Sequence, residues 1–357
     1  MRKQSKKFLE EYLNNASPTG FEKSGQQIWL DYITPYVDEH ITDAYGSVAG
    51  IINPGKDYKV VIEAHADEIA WFVNYITPEG YLYVTRLGGS DHQIAPSMRV
   101  NLHGDKGVVK GVFGWPAIHV RDRAKEEQPS LKNLFIDIGA TSKEDVEKQG
   151  VHVGTVATFD ADVMELGKDF LTGRAFDNRA GGFMIAEVAR LIHENKNDIP
   201  FSLYIVNAVQ EEIGLRGAEM ISRRIKPDVA IITDVTHDTT TPMYNKKTQG
   251  ETKCGGGPSV TYGPAVQNNV RDMIIKVAEK KKIPFQRAAA GRSTGTDTDS
   301  FAYSAEGVPS ALISLPLRYM HTTVETIHKD DLDAVIKLIY EVVIQLKSGH
   351  DFSYFKK

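Results

Sequence analysis

Phe201-Ser202-Leu203-Tyr204-Ile205-Val206-Asn207-Ala208-Val209-Gln210-Glu211-Glu212-Ile213-Gly214 passes from a largely apolar run to two adjacent carboxylates with almost no spacer. A short run of this kind, rich in β-branched residues, reads as a buried strand. A helix follows from about Gly214 to Arg224. The same alternation repeats on either side. Strands are expected at Lys59–Ala64, Val229–Thr233 and Ser310–Ser314, with helices over about 179–193, 270–281 and 331–346. Alternation of this kind predicts an α/β sandwich whose sheet is covered on both faces. In such sheets functional side chains collect beyond the carboxyl ends of the strands, which is where Glu211 and Glu212 stand.

Moving towards the N-terminus, residues 5–14 and 22–36 read as two helices joined at Ser17-Pro18-Thr19-Gly20, with a strand over 45–52 beyond them. From Ile69 to Thr158 the rhythm differs. Short β-like runs such as Gly80–Val84, Arg99–Leu102 and Gly107–Val112 are separated by turn residues, and no long helix intervenes before Ser142. This stretch reads as a small β-barrel-like insertion over 69–158, interrupting one α/β domain built from 1–68 and 159–357.

The 357 residues are 41% hydrophobic and 25% charged, an ordinary globular balance. A net charge of -5 argues against a broad basic surface for nucleic acid, and Lys280-Lys281-Lys282 reads as the solvated end of a helix. The single cysteine, Cys254, excludes an intramolecular disulfide and fits a reducing compartment. It lies in a glycine-rich stretch with no activating base beside it. Two carboxylates in Phe8–Leu13 rule out a signal-peptide core, and no apolar run reaches the ~20 residues of a membrane helix. The expectation is a soluble, cytoplasmic protein.

The chemistry concentrates at five places. Lys59–Ala64 leads into His65-Ala66-Asp67, where the two-residue spacing puts both side chains on one side of an extended backbone. Asp67 can then fix the tautomer of a metal-bound His65. A satisfied histidine at a strand end is the plainer reading of that motif alone. Asp177, before the 179–193 helix, suits a helix cap or a carboxylate bridging two cations. Glu211 and Glu212 point in different directions, so one can ligate while the other addresses water. Val229–Thr233 leads to Asp234, with His237 and Asp238 close behind, and spacing does not choose among these three. His321 closes Ser314–Met320 after another buried strand. Histidine and carboxylate are ligands that zinc and cobalt take in hydrolases. Two histidines and three carboxylates match a two-metal centre with one bridging acid.

With these residues in view, the chain resembles the glutamyl, tetrahedral and deblocking aminopeptidases of metallopeptidase family 42. The resemblance runs through Glu63–Ile69, Gly173–Gly182, Glu211-Glu212, Asp234, Gly295-Thr296-Asp297 and Pro316–Glu325, with Leu87-Gly88-Gly89 and Arg99-Val100 as landmarks of the insertion. It implies a mixed, mostly parallel sheet in an α/β/α sandwich of the zinc-peptidase phosphorylase/hydrolase type. It implies two divalent metal ions per subunit, zinc or cobalt first, with manganese or nickel also compatible. His65, Asp177 and Asp234 would hold one ion, and Asp177, Glu212 and His321 the other. Glu211 would be the general base and Asp67 the partner of His65. Substrates would be peptides with a free N-terminus. The inserted domain would pair subunits, in anything from a dimer to a tetrahedral dodecamer.

Ser90-Asp91-His92 and Gly291–Thr294 are less typical of the family and bear on specificity, with Arg292 a possible partner for an acidic substrate side chain. Dipeptidases and N-acyl-amino-acid deacylases share the two-metal scaffold and are the nearest alternatives. A non-catalytic assembly protein would be expected to have lost Glu211 or a ligand, and none is lost. An endoglucanase activity fits poorly, since that chemistry ordinarily needs two carboxylates flanking a sugar.

Overall fold

The apolar runs form the centre of a sheet. In a computed structural model, which describes residues 1–122, 124 and 127–355, the chain divides into two compact units. One comprises Met1–Glu68, Val163–Met320 and the chain from Val324 onward; the other comprises Ile69–Asp162 with His321–Thr323.

In the first unit Ser202–Ala208, Lys59–His65, Val229–His237 and Ser310–Arg318 lie side by side and parallel. Strands buried on both faces have no polar alternation to keep, hence the continuous apolar runs. Val48–Ile52 and Glu39–Thr42 extend one edge antiparallel. Glu325–His328, Phe170–Gly173 and Met164–Leu166 extend the other, while Ser259–Tyr262 and Gln286–Ala289 branch from Ser310–Arg318. The sandwich follows from one pair of neighbours. Ala64 faces Gly181, Glu63 faces Asp297, and adjacent strand residues point to opposite faces.

The Phe176–Glu194 helix buries 16 of its 19 residues. It packs on Lys59–His65 and Val229–His237 and against helices Lys3–Asn14, Lys23–Ile33 and Lys329–Val343, so a one-sided apolar stripe would not serve it. Gly182 lets the layers approach: a Cβ there would lie 2.8 Å from both Asn207 Oδ1 and Tyr12 Oη. Its carbonyl accepts the indole N–H of buried Trp29 at 2.8 Å.

Several expected boundaries move for local reasons. The second helix stops at Ile33 and gives way to a 3₁₀ turn over Thr34–Tyr36, because Pro35 cannot sit in a helix interior. The strand expected from 45 starts at Val48, since Asp43 Oδ1 gathers the N–H groups of Tyr45, Gly46 and Ser47 into a turn. The strand expected to stop at Thr233 runs to His237. Asp234 therefore lies within it, held opposite Ser314 by the continuing parallel ladder.

The second unit is a closed six-stranded antiparallel barrel, ordered Ala70–Ile76, Leu82–Leu87, Phe135–Asp137, Gly107–Phe113, Arg99–Gly104, Val156–Phe159. Trp71 fills its centre, with Phe113 packed on it edge-on at 5.5 Å between ring centroids and Phe159 beside both. The one α-helix described in this unit, Lys143–Lys148, is capped by the Ser142 hydroxyl accepting from the Asp145 N–H. Among the described residues no helix is long and apolar enough to cross a membrane.

Candidate metal centre

Parallel pairing brings the strand ends together. Ala208 lies opposite His65, and Asp234 stands two residues beyond the Ile232–Glu63 pair, level with His65. Glu211 and Glu212 follow a sharp exit from the strand in which Gln210 takes a left-handed conformation (φ 57°). Asp177 arrives from the other direction, at the start of its long helix, with non-helical backbone angles. It is not a conventional cap: its own N–H donates to Glu325 Oε2 at 3.0 Å.

These residues meet at His65. Its Nε2 lies 3.1 Å from Asp177 Oδ1, 3.8 Å from Asp234 Oδ1 and 3.9 Å from Glu211 Oε2. Ligand atoms of His65, Asp177 and Glu212 all fall within 4.8 Å of one another, and so do those of His65, Glu211 and Asp234. Behind the ring, His65 Nδ1 is 3.3 Å from Asp67 Oδ1, an ion-pair contact just beyond ordinary hydrogen-bond length. Asp67 is saturated by neighbours. It accepts the N–H of Glu211 at 3.0 Å, the N–H of Glu212 at 3.2 Å and the Thr19 hydroxyl at 2.9 Å. One buried carboxylate thus aligns the histidine with both glutamates. Asn178 ties the Asp177 loop to the Asp234 strand by donating to the Thr233 carbonyl at 2.8 Å.

So many buried carboxyls in one place hold protons when no cation is at hand. Burial, with Asp234, Asp297 and Glu212 adding to it against the pull of His65, pushes Glu211 up to about 10. Burial and Asp177, again opposed by His65, push Asp234 up to about 7. Burial opposes the charged form of His65, yet Glu211, Asp177, Asp67 and Asp234 override it and raise its pKa well above the ordinary value. Deeper still, Glu63 and Asp297 face each other with all four oxygens lacking another partner; burial raises both, Glu63 to about 8. Buried carboxylates clustered about one imidazole fit a divalent cation, which takes the place of the protons.

Spacing left Asp234, His237 and Asp238 open. Asp234 joins the cluster, whereas buried Asp238 pairs with Arg318 at 2.7 Å and accepts from Thr240 and Cys254. His321 belongs to the barrel unit with Thr322 and Thr323, where the backbone of Gly89 lies against its imidazole ring. His92 contacts Arg86 in that same unit, and Arg292 is exposed on a loop of the first. Burial pushes the Cys254 thiol up, consistent with an inert side chain. Sequence reasoning assigned no role to Glu63, Glu68, Asp297 or Glu325. The available signal for Glu63 was a carboxylate inside an otherwise apolar strand.

Known proteins share this sequence and fold. Residues 46–338 match the M42 glutamyl aminopeptidase family. A lysyl aminopeptidase of Pyrococcus furiosus is 33% identical over 342 residues, covering 95% of this chain and 96% of its own. A TET aminopeptidase from a marine sediment Thaumarchaeota archaeon superposes with a TM-score of 0.92 at 30% identity, covering 97% of both chains. The TET1 peptidase of Pyrococcus horikoshii, described as able to assemble into a tetrahedron or a large octahedral shell, gives 0.85 at 25% identity over 96% of this chain and all (100%) of its own. With a match of that extent joined to this fold and this cluster, the chain belongs to the M42 glutamyl aminopeptidase family.

Proposed function

We propose that the protein is a dinuclear metallo-aminopeptidase that removes N-terminal residues from peptides, with Glu211 as general base. The observation that carries this reading is the clustering of Asp177, Glu211, Glu212 and Asp234 about His65. His65, Asp177 and Asp234 form the first proposed ligand set, and Asp177 and Glu212 belong to the second, with Asp177 shared. His321 joins the second set on the family resemblance and its donor type. Zinc or cobalt suits these donors, and manganese or nickel is also compatible.

Divalent ions held by these residues would supply Lewis acidity, acidifying water and polarising the scissile carbonyl. The chain's own residues do the rest. Glu211 takes the proton from the attacking water and returns it to the leaving amine. The pKa of about 10 that burial and its neighbours give Glu211 belongs to the cation-free cluster. A cation at the adjoining oxygens would lower it. Asp67 holds His65 in orientation and, through the two backbone N–H groups, fixes where Glu211 and Glu212 emerge. Relatives described as TET assemblies support a homo-oligomer, with the barrel unit as the proposed pairing element.

The test is hydrolysis of a panel of free-amine aminoacyl anilides by metal-stripped protein, with zinc, cobalt or manganese added back. Metal-restored release of anilide is expected, and the panel names the preferred side chain. Glu211→Gln should lower kcat at least 100-fold without loss of metal content, the scale of a missing general base. Silence of folded, reloaded protein across the panel, with activity on N-acylated amino acids or dipeptides instead, would sink the aminopeptidase reading.

A further inference from the structure

The residue after Asp67 is another acid, Glu68, which no ligand group includes and which is 3% exposed. A buried carboxylate is costly unless its charge is met, and this one is met from two directions. Arg174 Nη1 bonds one oxygen; Arg179 Nη1 lies 3.8 Å from the other. The Ser17 N–H donates to Oε1 at 2.7 Å. Both arginines are themselves buried, and both continue to the first helix: Arg174 Nη2 donates to the Asn14 carbonyl at 3.0 Å, and Arg179 Nη1 to that of Asn15. The Arg179 guanidinium also stands 4.1 Å over the Tyr12 ring.

The positions of these residues in the chain give the cluster its meaning. Arg174 and Arg179 bracket Asp177, and Glu68 directly follows His65-Ala66-Asp67. His65 ends its strand in the parallel ladder, but Asp177 leaves helical geometry at the start of its helix, so no helical repeat sets the distance of Asp177 from His65. The main chain adds a bracket of its own: the Glu68 N–H donates to the Ser17 carbonyl at 3.0 Å and the Thr19 N–H to the Glu68 carbonyl at 3.1 Å.

We infer that Glu68, Arg174 and Arg179 form a positioning clasp that fixes the separation of the His65 strand end and the Asp177 segment, and thereby the affinity for the ion these two residues share. The inference rests on the metal reading above. None of the three belongs to a ligand group, so their effect on the reaction passes through metal occupancy.

The experiment measures cobalt and zinc binding to metal-stripped full-length protein by calorimetric titration and by cobalt absorption, in the wild type, Glu68→Gln and Arg174→Lys. Glu68→Gln keeps the shape and removes the charge; Arg174→Lys keeps the charge and gives up one of two directed bonds. Partners of this kind typically weaken metal binding by about 10–100-fold when removed. The expected result is a loss of that order for one ion in Glu68→Gln and a smaller loss in Arg174→Lys. Activity at saturating metal should stay near wild type while the metal concentration for half-activity rises. Folded variants that bind both ions with wild-type affinity overturn the inference. So does a failure of both variants to fold with metal present, which would make the cluster a folding element. A wild type that takes up no divalent ion fails at the metal reading itself, a result recognisable before any variant is made.

Discussion

Asp67 shows how much of the site rests on one side chain. Oδ1 receives the Glu211 N–H and faces His65 Nδ1, while Oδ2 receives the Glu212 N–H and the Thr19 hydroxyl. The two backbone N–H groups can only donate, one to each oxygen, so two acceptor oxygens are required. Asn at this position offers one oxygen and one NH₂, and the NH₂ must oppose a backbone N–H in either orientation. A buried donor left unmet costs about 1–3 kcal/mol. Asp67→Asn is therefore expected to lower kcat/KM by 10-fold or more and to weaken metal binding, checked by steady-state kinetics against metal concentration. Unchanged kinetics and metal affinity in this variant would show that His65 needs no orienting partner. At this scale the sequence was informative but incomplete. His-x-Asp spacing exposed the His65–Asp67 pairing because alternation along a strand is strictly local. Nothing local could show that Asp67 also receives two N–H groups from a loop some 144 residues away.

At the level of elements, legibility followed burial. Ser202–Ala208 and Val229–His237 were readable as strands because burial on both faces leaves a continuous apolar run. Strands at the sheet edge, such as Glu39–Thr42 and Met164–Leu166, are short and mostly exposed, so they carry no such pattern and were missed. The 176–194 helix was visible, but its true start was not, since Asp177 and Asn178 leave helical geometry where the site requires it. The crowding around that helix was also hidden, although Gly181-Gly182 marks it in retrospect. Gly182 faces Tyr12 and Asn207, whose own contact (Asn207 Nδ2 to Tyr12 Oη, 2.9 Å) leaves neither free to withdraw. Gly182→Ala should destabilise by about 1–3 kcal/mol through overpacking, despite Ala being the better helix former. Chemical denaturation of metal-loaded protein tests this; a stabilised variant would show that the helix can shift away from the first helix at little cost.

For the whole molecule, the acid cluster makes stability depend on pH and metal together. Glu211, Glu63 and Asp234 are raised to about 10, 8 and 7 from ordinary carboxyl values, and His65 is raised too. A group whose pKa is higher in the folded state contributes stability below its unfolded pKa and loses it as pH rises through the folded value. Between about pH 4 and 10 the metal-free fold therefore holds more protons than the unfolded chain, and stability falls as pH rises. A divalent cation reverses the balance, because it binds the deprotonated ligands of the folded state alone and adds RT ln(1 + [L]/Kd). In chelator, the melting temperature should drop steadily from pH 6 to pH 9. With saturating zinc or cobalt the drop should shrink or vanish, so the metal-induced shift grows with pH. Calorimetric scans at several pH values with and without metal decide the matter. Parallel curves, separated by a constant amount, would mean that the cluster does not exchange protons for metal and that the cation binds elsewhere.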